Sequence, residues 1–160
     1  MSVVWFNGAI IEGPLQLDPA DRGLTLGDGV TLGGASVQLD SSGQINRGKA
    51  LTLNTASLGL GTSRIAVGGV SSLAKDALVV DASALNQLSH IQLRGYQSID
   101  LVGALQLGSV GVAGVANTRE LTLDTANLRG VADAALKGPQ GAVLQAEHVT
   151  LRNTSGQGTD

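Results

Sequence analysis

Cysteine is absent from the 160 residues. The chain therefore has no disulfide framework, no thiolate metal site and no cysteine nucleophile. Aromatic residues are almost as scarce, one each of Trp5, Phe6 and Tyr96. That excludes a platform on which bases or sugar rings stack against several aromatics. Charged residues make up 14%, against roughly 25% in ordinary soluble domains. With 10 basic and 13 acidic residues the net charge is -3, which excludes a nucleic-acid binder that works by neutralising phosphates and a polybasic membrane-surface segment. No apolar run approaches the roughly 18 residues of a membrane-spanning helix, so no transmembrane segment is expected. The opening residues lack a basic region, a long apolar core and a small-residue cleavage site, so they do not read as a secretory signal peptide.

What the chain has instead is aliphatic side chains and glycine: 42% hydrophobic residues and 23 glycines, about twice the usual glycine share. There is ample aliphatic surface to bury, so this is not a disordered composition. A short phrase recurs. Val37-Gln38-Leu39-Asp40, Leu51-Thr52-Leu53-Asn54, Ile91-Gln92-Leu93-Arg94, Ile99-Asp100-Leu101, Leu121-Thr122-Leu123-Asp124 and Val149-Thr150-Leu151-Arg152 are each aliphatic–polar–aliphatic. Most are followed by Thr, Ser, Asn or Gly. Alternation puts both aliphatics on one face of a strand, and the polar cluster after them is turn chemistry. Ile65-Ala66-Val67-Gly68 and Leu105-Gln106-Leu107-Gly108 are shortened versions. The stretch Leu51 to Leu58 is nearly repeated by Leu121 to Leu128.

Short strands of three to five residues, ended by turn residues and filled by Leu, Val, Ile and Ala, predict an all-β chain. The expected form is a right-handed parallel β-helix, a β-solenoid of about five short coils over residues 31–160. Each buried Leu would contribute about 1.5–3 kcal/mol, Thr, Asn and Ser could form ladders from coil to coil, and the stack would be about 24 Å tall at about 4.8 Å per strand. Helix formers in 72–80 and 83–88 predict one short helical interruption near 83–88, with Asp81 or Ser83 as its cap. Residues 1–30 form a separate segment, a hairpin-like cap in which Val3, Val4, Phe6, Ile10, Ile11, Leu15 and Leu17 supply two strands over one open end. Residues 109–119 and 130–142 read as connectors, and the tail from Ser155 as a loose end.

Taken in order, these phrases carry a family resemblance. Residues 31–160 resemble the repeat region of filamentous haemagglutinin-like large exoproteins, adhesins of bacterial two-partner secretion systems. The phrases that carry it are Leu93-Arg94-Gly95-Tyr96-Gln97-Ser98-Ile99-Asp100-Leu101-Val102-Gly103, Leu121 to Leu128, His148 to Gly156 and Ala50 to Gly61. The resemblance implies a β-helix in a surface-exposed or secreted fibre, a virulence-type adhesin with no catalytic residue to transfer. It implies partners in a host-cell surface or glycan receptor and in neighbouring coils of a parent fibre. The open ends of so short a stack invite self-association.

Residues 1–30 resemble something else. Val4-Trp5-Phe6-Asn7-Gly8 and Asp21-Arg22-Gly23-Leu24-Thr25-Leu26-Gly27-Asp28-Gly29-Val30 resemble the start of class IV pyridoxal-phosphate aminotransferases, the branched-chain and aminodeoxychorismate lyase type. After Val30 the likeness stops. Pyridoxal chemistry needs a lysine in a formed pocket with an acidic partner for the ring nitrogen. Lys49, Lys75 and Lys137, the only lysines, all stand beside turn or loop residues. No cofactor and no cofactor-binding residue is expected.

Other constellations have simpler readings. His90 and His148 are the only histidines. Glu147 beside His148 points to the opposite face of a strand, so no metal site is expected. Asp18, Asp21 and Asp28 suit turns better than a Ca²⁺ site or an acid–base pair. Gly27 to Gly34 lacks the spacing of a phosphate cradle. Asp81, Asp100 and Asp124 could line a wall, as carboxylates do in polysaccharide-cleaving β-helix enzymes, but their places at strand ends favour ladder and turn roles. The expected function is thus structural and adhesive, with the loop after Gly103 and the connectors 109–119 and 130–142 as presented surface. The rivals are an inactive fragment of a class IV aminotransferase and, behind it, a β-helix polysaccharide-active enzyme.

Overall fold

The computed structural model describes residues 23–111 and 117–156 in full and, before them, the backbone of three strands. The described chain is mostly β, with a single helical turn. In order the strands are β1 (Ser2–Trp5), β2 (Ile10–Glu12), β3 (Leu15–Asp18), β4 (Gly23–Leu26), β5 (Thr31–Gly34), β6 (Val37–Ser41), β7 (Ile45–Arg47), β8 (Thr52–Thr55) and β9 (Ser57–Val67). Then come β10 (Leu78–Val80), the helical turn α1 (Ala82–Leu85), β11 (His90–Val102), β12 (Leu105–Leu107), β13 (Glu120–Thr125), β14 (Leu128–Val131), β15 (Ala142–Leu144) and β16 (His148–Arg152). The main sheet has the order β1-β6-β9-β11-β13-β16, with β10 also on β9 and β14 on β11. Three smaller sheets hold β2-β5-β8, β3-β4-β7 and β12-β15.

From β4 onward the strands pair in parallel. Leu24 lies against Ile45, Leu32 against Leu53 and Val37 against Leu58, a separation of 21 residues in all three sheets. The chain passes through the three sheets in a fixed order and then repeats the passage. The opening strands do the reverse: β1 pairs antiparallel with β6, β2 with β5 and β3 with β4. The segment 1–30, expected to give two strands, gives four: β1–β3 retrace the three sheets backwards, and β4 already joins the parallel pairing with β7.

Alternation explains the interior. In the main sheet Val37, Leu58, Ile91 and Leu121 share one register position, and Leu39, Leu60, Leu93 and Leu123 the next but one. All eight are buried. They join Leu24, Leu26, Leu32, Ile45, Ile65 and Ile99 in one core cluster. At about 1.5–3 kcal/mol for each fully buried aliphatic side chain, these columns dominate the stabilisation of the sheet.

Several expectations need correction. Strands β9 and β11 are 11 and 13 residues long, not three to five, because each continues past a corner. The register shifts between Gly95 and Ser98, and a Cβ on Gly95 would overlap the Ser98 carbonyl oxygen. Residues 78–80, placed among helix formers, pair in parallel with Ile65–Val67: Leu78 and Val80 fill the core, and that tertiary burial outweighs local propensity. The helical turn covers Ala82–Leu85, followed by turn residues to Gln87, and Asp81 stands at its N-cap without a side-chain cap hydrogen bond. Gly103 and Ala104 make only a tight bend before β12. The 130–142 connector is bounded by strand residues of β14 and β15. Residues 112–116 of the 109–119 connector and the end of the tail lie outside the described residues. Among the described residues no helix is long and apolar enough to cross a membrane.

Candidate functional site

If residues 37 and 39 of β6 and their register partners face the core, the residues between and beside them face out. Three outward columns result. Gln38, Gly59, Gln92, Thr122 and Thr150 form the middle one. Ser57, His90, Glu120 and His148 form the second. The third runs Asp40, Gly61, Arg94, Asp124, Arg152.

The third column is an ion-pair ladder. Arg94 Nε is 3.2 Å from Asp124 Oδ2, and Arg152 Nε is 3.1 Å from the same oxygen. The Thr154 hydroxyl and amide donate to Asp124 at 2.6 and 2.8 Å. On its other side Arg94 Nη1 lies 3.7 Å from Asp40 Oδ2, and Asp40 Oδ1 accepts from the Tyr96 hydroxyl at 2.6 Å. Burial raises the Asp124 carboxyl, but Thr154, Arg152 and Arg94 outweigh it and hold the group below its ordinary value. Burial, with help from the Asp40 carboxylate, pushes the Tyr96 phenol above its ordinary value.

A second network sits round the corner. Asp100 is fully buried. It accepts from Arg129 Nε at 2.7 Å and Nη2 at 3.0 Å, and from the Ser71 hydroxyl. Arg129 also donates to Ser98 Oγ at 3.0 Å. Ser71 Oγ in turn accepts the Leu73 and Ala74 amides at 3.1 and 3.2 Å, which ties the 68–77 loop to the sheet.

Between the columns, over Gly59, lies a shallow groove of about 150 Å³. Gln38 and Gln92 flank it, with Ser57, His90, Glu120 and Thr122 along the rim. Its lining is amide, hydroxyl and imidazole with the Glu120 carboxylate at one end, chemistry that can hydrogen-bond a polar partner. His90 Nδ1 is 3.0 Å from Ser89 Oγ.

The residues singled out in the sequence scatter. His90 and His148 fall in one column with Glu120, not Glu147, between them, and among the described residues no group of His, Asp and Glu is placed to hold a metal ion. Asp28 Oδ1 caps the Lys49 amide at 2.7 Å, a turn role. The side chains of Asp18 and Asp21 lie outside the described residues. Asp81 faces Arg47 loosely, at 3.9 Å. Asp100 and Asp124 are buried in separate networks instead of lining one open wall. Lys49, Lys75 and Lys137 are all exposed. Sequence reading missed Gly61, Arg94 and Arg129. Only the matched register shows what they face.

The resemblances to large exoproteins and to class IV aminotransferases rest on their phrases alone: no family model, no curated protein and no solved structure matches the chain.

Proposed function

We propose that residues 31–160 are a right-handed parallel β-helix segment of a filamentous, haemagglutinin-like fibre exposed on or secreted from a bacterial cell. Its work is structural and adhesive. It extends the fibre and carries a rigid outward face and its connectors to a host-cell surface or a glycan. The observation that carries the reading is the register of the main sheet. Five parallel strands bring Val37, Leu58, Ile91, Leu121 and Val149 into one aliphatic column, and two neighbouring sheets repeat the same 21-residue step. A chain that returns to the same sheet at the same register is what a solenoid requires. On this reading the antiparallel passage of β1–β3 covers the first coil, and its own paired strands shield an edge that would otherwise template aggregation.

Adhesion is tested with beads coated with the full chain and scored for attachment to epithelial cells and to immobilised neutral glycans. Attachment that falls when Gln38 and Gln92 are both replaced by alanine is the expected result. Beads that attach no better than albumin-coated ones would refute the adhesive part. Scanning of the fold by far-ultraviolet circular dichroism separates the structural part, which requires a β-dominated spectrum.

A further inference from the structure

We propose that the free edge of β16 accepts an added strand of the pattern acidic–aliphatic–polar–aliphatic–acidic. This rests on the β-helix reading and names the partner that its exposed end takes.

Among the described residues strand β16 ends the main sheet and pairs on one side only, with β13. Val149 and Leu151 are 43% and 58% exposed, whereas Leu121, Leu123, Ile91 and Leu93, one and two strands back in the same columns, are 2% exposed or less. The aliphatic columns therefore run out into solvent at this strand. Its guards are few: His148–Arg152 contains no proline, no lysine and no bulge, and Arg152 is its one charged residue.

Charge selects the occupant. In the third column the sign alternates, Arg94, Asp124, Arg152, and in the second Glu120 stands in register between His90 and His148, whose ring N–H groups can hydrogen-bond a carboxylate. The next strand in both columns is thus acidic, with aliphatic residues between to cover Val149 and Leu151. The chain already contains such a strand. β13, Glu120-Leu121-Thr122-Leu123-Asp124, holds the opposite edge of β16 in this register. The Arg152 side chain is 42% exposed while paired with Asp124, which leaves guanidinium donors for a second carboxylate. A second copy of the chain fits less well. Antiparallel pairing of β16 with itself about Thr150 sets His148 against Arg152 at both ends and supplies no carboxylate, and unmatched cross-strand charge disfavours a pair.

The test is fluorescence anisotropy with the full chain and a labelled peptide of residues 118–126. Saturable binding is expected. A peptide carrying Glu120→Lys and Asp124→Lys should bind at least tenfold more weakly, and one with alternate amides N-methylated should not bind, because it cannot add to an edge. Leu151→Glu in the chain, at an exposed position that leaves the core intact, should abolish binding. Equal binding of the acidic and lysine peptides, or none by the acidic one, would overturn the proposal. So would self-association of the chain that blocks the peptide, which would assign the edge to a second copy. Circular dichroism on the same sample keeps the two readings apart. A β-dominated chain that ignores the peptide loses only the acceptor edge, and a chain without a β spectrum loses the β-helix as well.

Discussion

Arg94 reaches Asp40 across Gly61. The two charged residues belong to strands that flank β9, about 9.6 Å apart at the usual strand spacing, and their side chains approach to 3.7 Å because the residue between them in register has no side chain. A Cβ on Gly61 would lie 2.6 Å from the Asp40 carboxyl group. That carboxyl cannot swing away freely, since the Tyr96 hydroxyl holds it at 2.6 Å. Gly61→Ala should therefore cost about 1–3 kcal/mol, the range of an overpacking substitution. The check is a thermodynamic cycle by urea denaturation: in an Asp40→Ala background the cost of Gly61→Ala should largely vanish. An equal cost in both backgrounds would mean that backbone freedom at Gly61, not the bridge over it, is what the glycine supplies.

Much of this arrangement was legible in the sequence, and the reason it stopped short is physical. The aliphatic–polar–aliphatic phrase marks strands and says which residues face inward, and four copies, at 37–39, 91–93, 121–123 and 149–151, do fall into one register. The copy that best matches Leu121 to Leu128 in letters, Leu51 to Leu58, does not. Leu53 sits in a different sheet, opposite Leu32, and Leu58-Gly59-Leu60 takes the place in the main column. What the two stretches share is a corner: Thr55 Oγ1 bonds the Ser57 amide and carbonyl, and Thr125 Oγ1 those of Asn127. Local chemistry writes the corner, and register is set by how many residues loop out between strands. His90 matches Ser57 and Glu120 at chain separations of 33 and 30, so no fixed period reveals that Arg94 will meet Asp124.

Acid sensitivity should centre on Asp124. Its carboxyl is held below the ordinary value in the folded chain, so it contributes stability above the unfolded value of about 3.9. That contribution is lost as pH falls through the lower, folded value. Asp124→Asn should destabilise the chain at neutral pH by about 2–3 kcal/mol, as expected for hydrogen bonds to a buried charge, and the difference from wild type should shrink as pH falls. Urea midpoints at neutral pH and near pH 2–3 read both effects. A constant difference across that window would show that the carboxylate charge is not what Arg94 and Arg152 use.

The Asp100 network makes a different prediction because its acid is fully buried. Arg129→Met leaves Asp100 with only the Ser71 hydroxyl, and an uncompensated buried charge costs about 3–5 kcal/mol. Adding Asp100→Leu removes the orphaned charge and should recover at least half of the loss. The 68–77 loop should then exchange its Leu73 and Ala74 amides faster, since their acceptor, Ser71 Oγ, loses the carboxylate that positions it. Thermal denaturation measures the first effect and hydrogen exchange the second. Failure of the double variant to recover would place the role of Arg129 in its packing.

Tyr96 is the only tyrosine, so the phenolate absorbance of the whole chain reports one group. Burial first and the Asp40 carboxylate second push its titration upward, against the opposing pull of Arg94. Arg94 stands 6.0 Å from the ring centroid, at the outer reach of a cation–π contact. The neutral phenol is thus the form the fold prefers. It contributes stability below the unfolded value of about 10, and that stability is lost as pH rises through the folded value. Asp40→Asn removes the negative charge and keeps a hydrogen-bond acceptor, so the absorbance midpoint should fall toward 10. Arg94→Gln removes the opposing cation and should raise the midpoint further. Opposite shifts from two neighbours of one phenol would establish that Asp40, Arg94 and Tyr96 act on each other in solution. A midpoint unmoved by either substitution would mean that the bridge over Gly61 does not persist in water, and the ladder would then begin at Arg94 and Asp124.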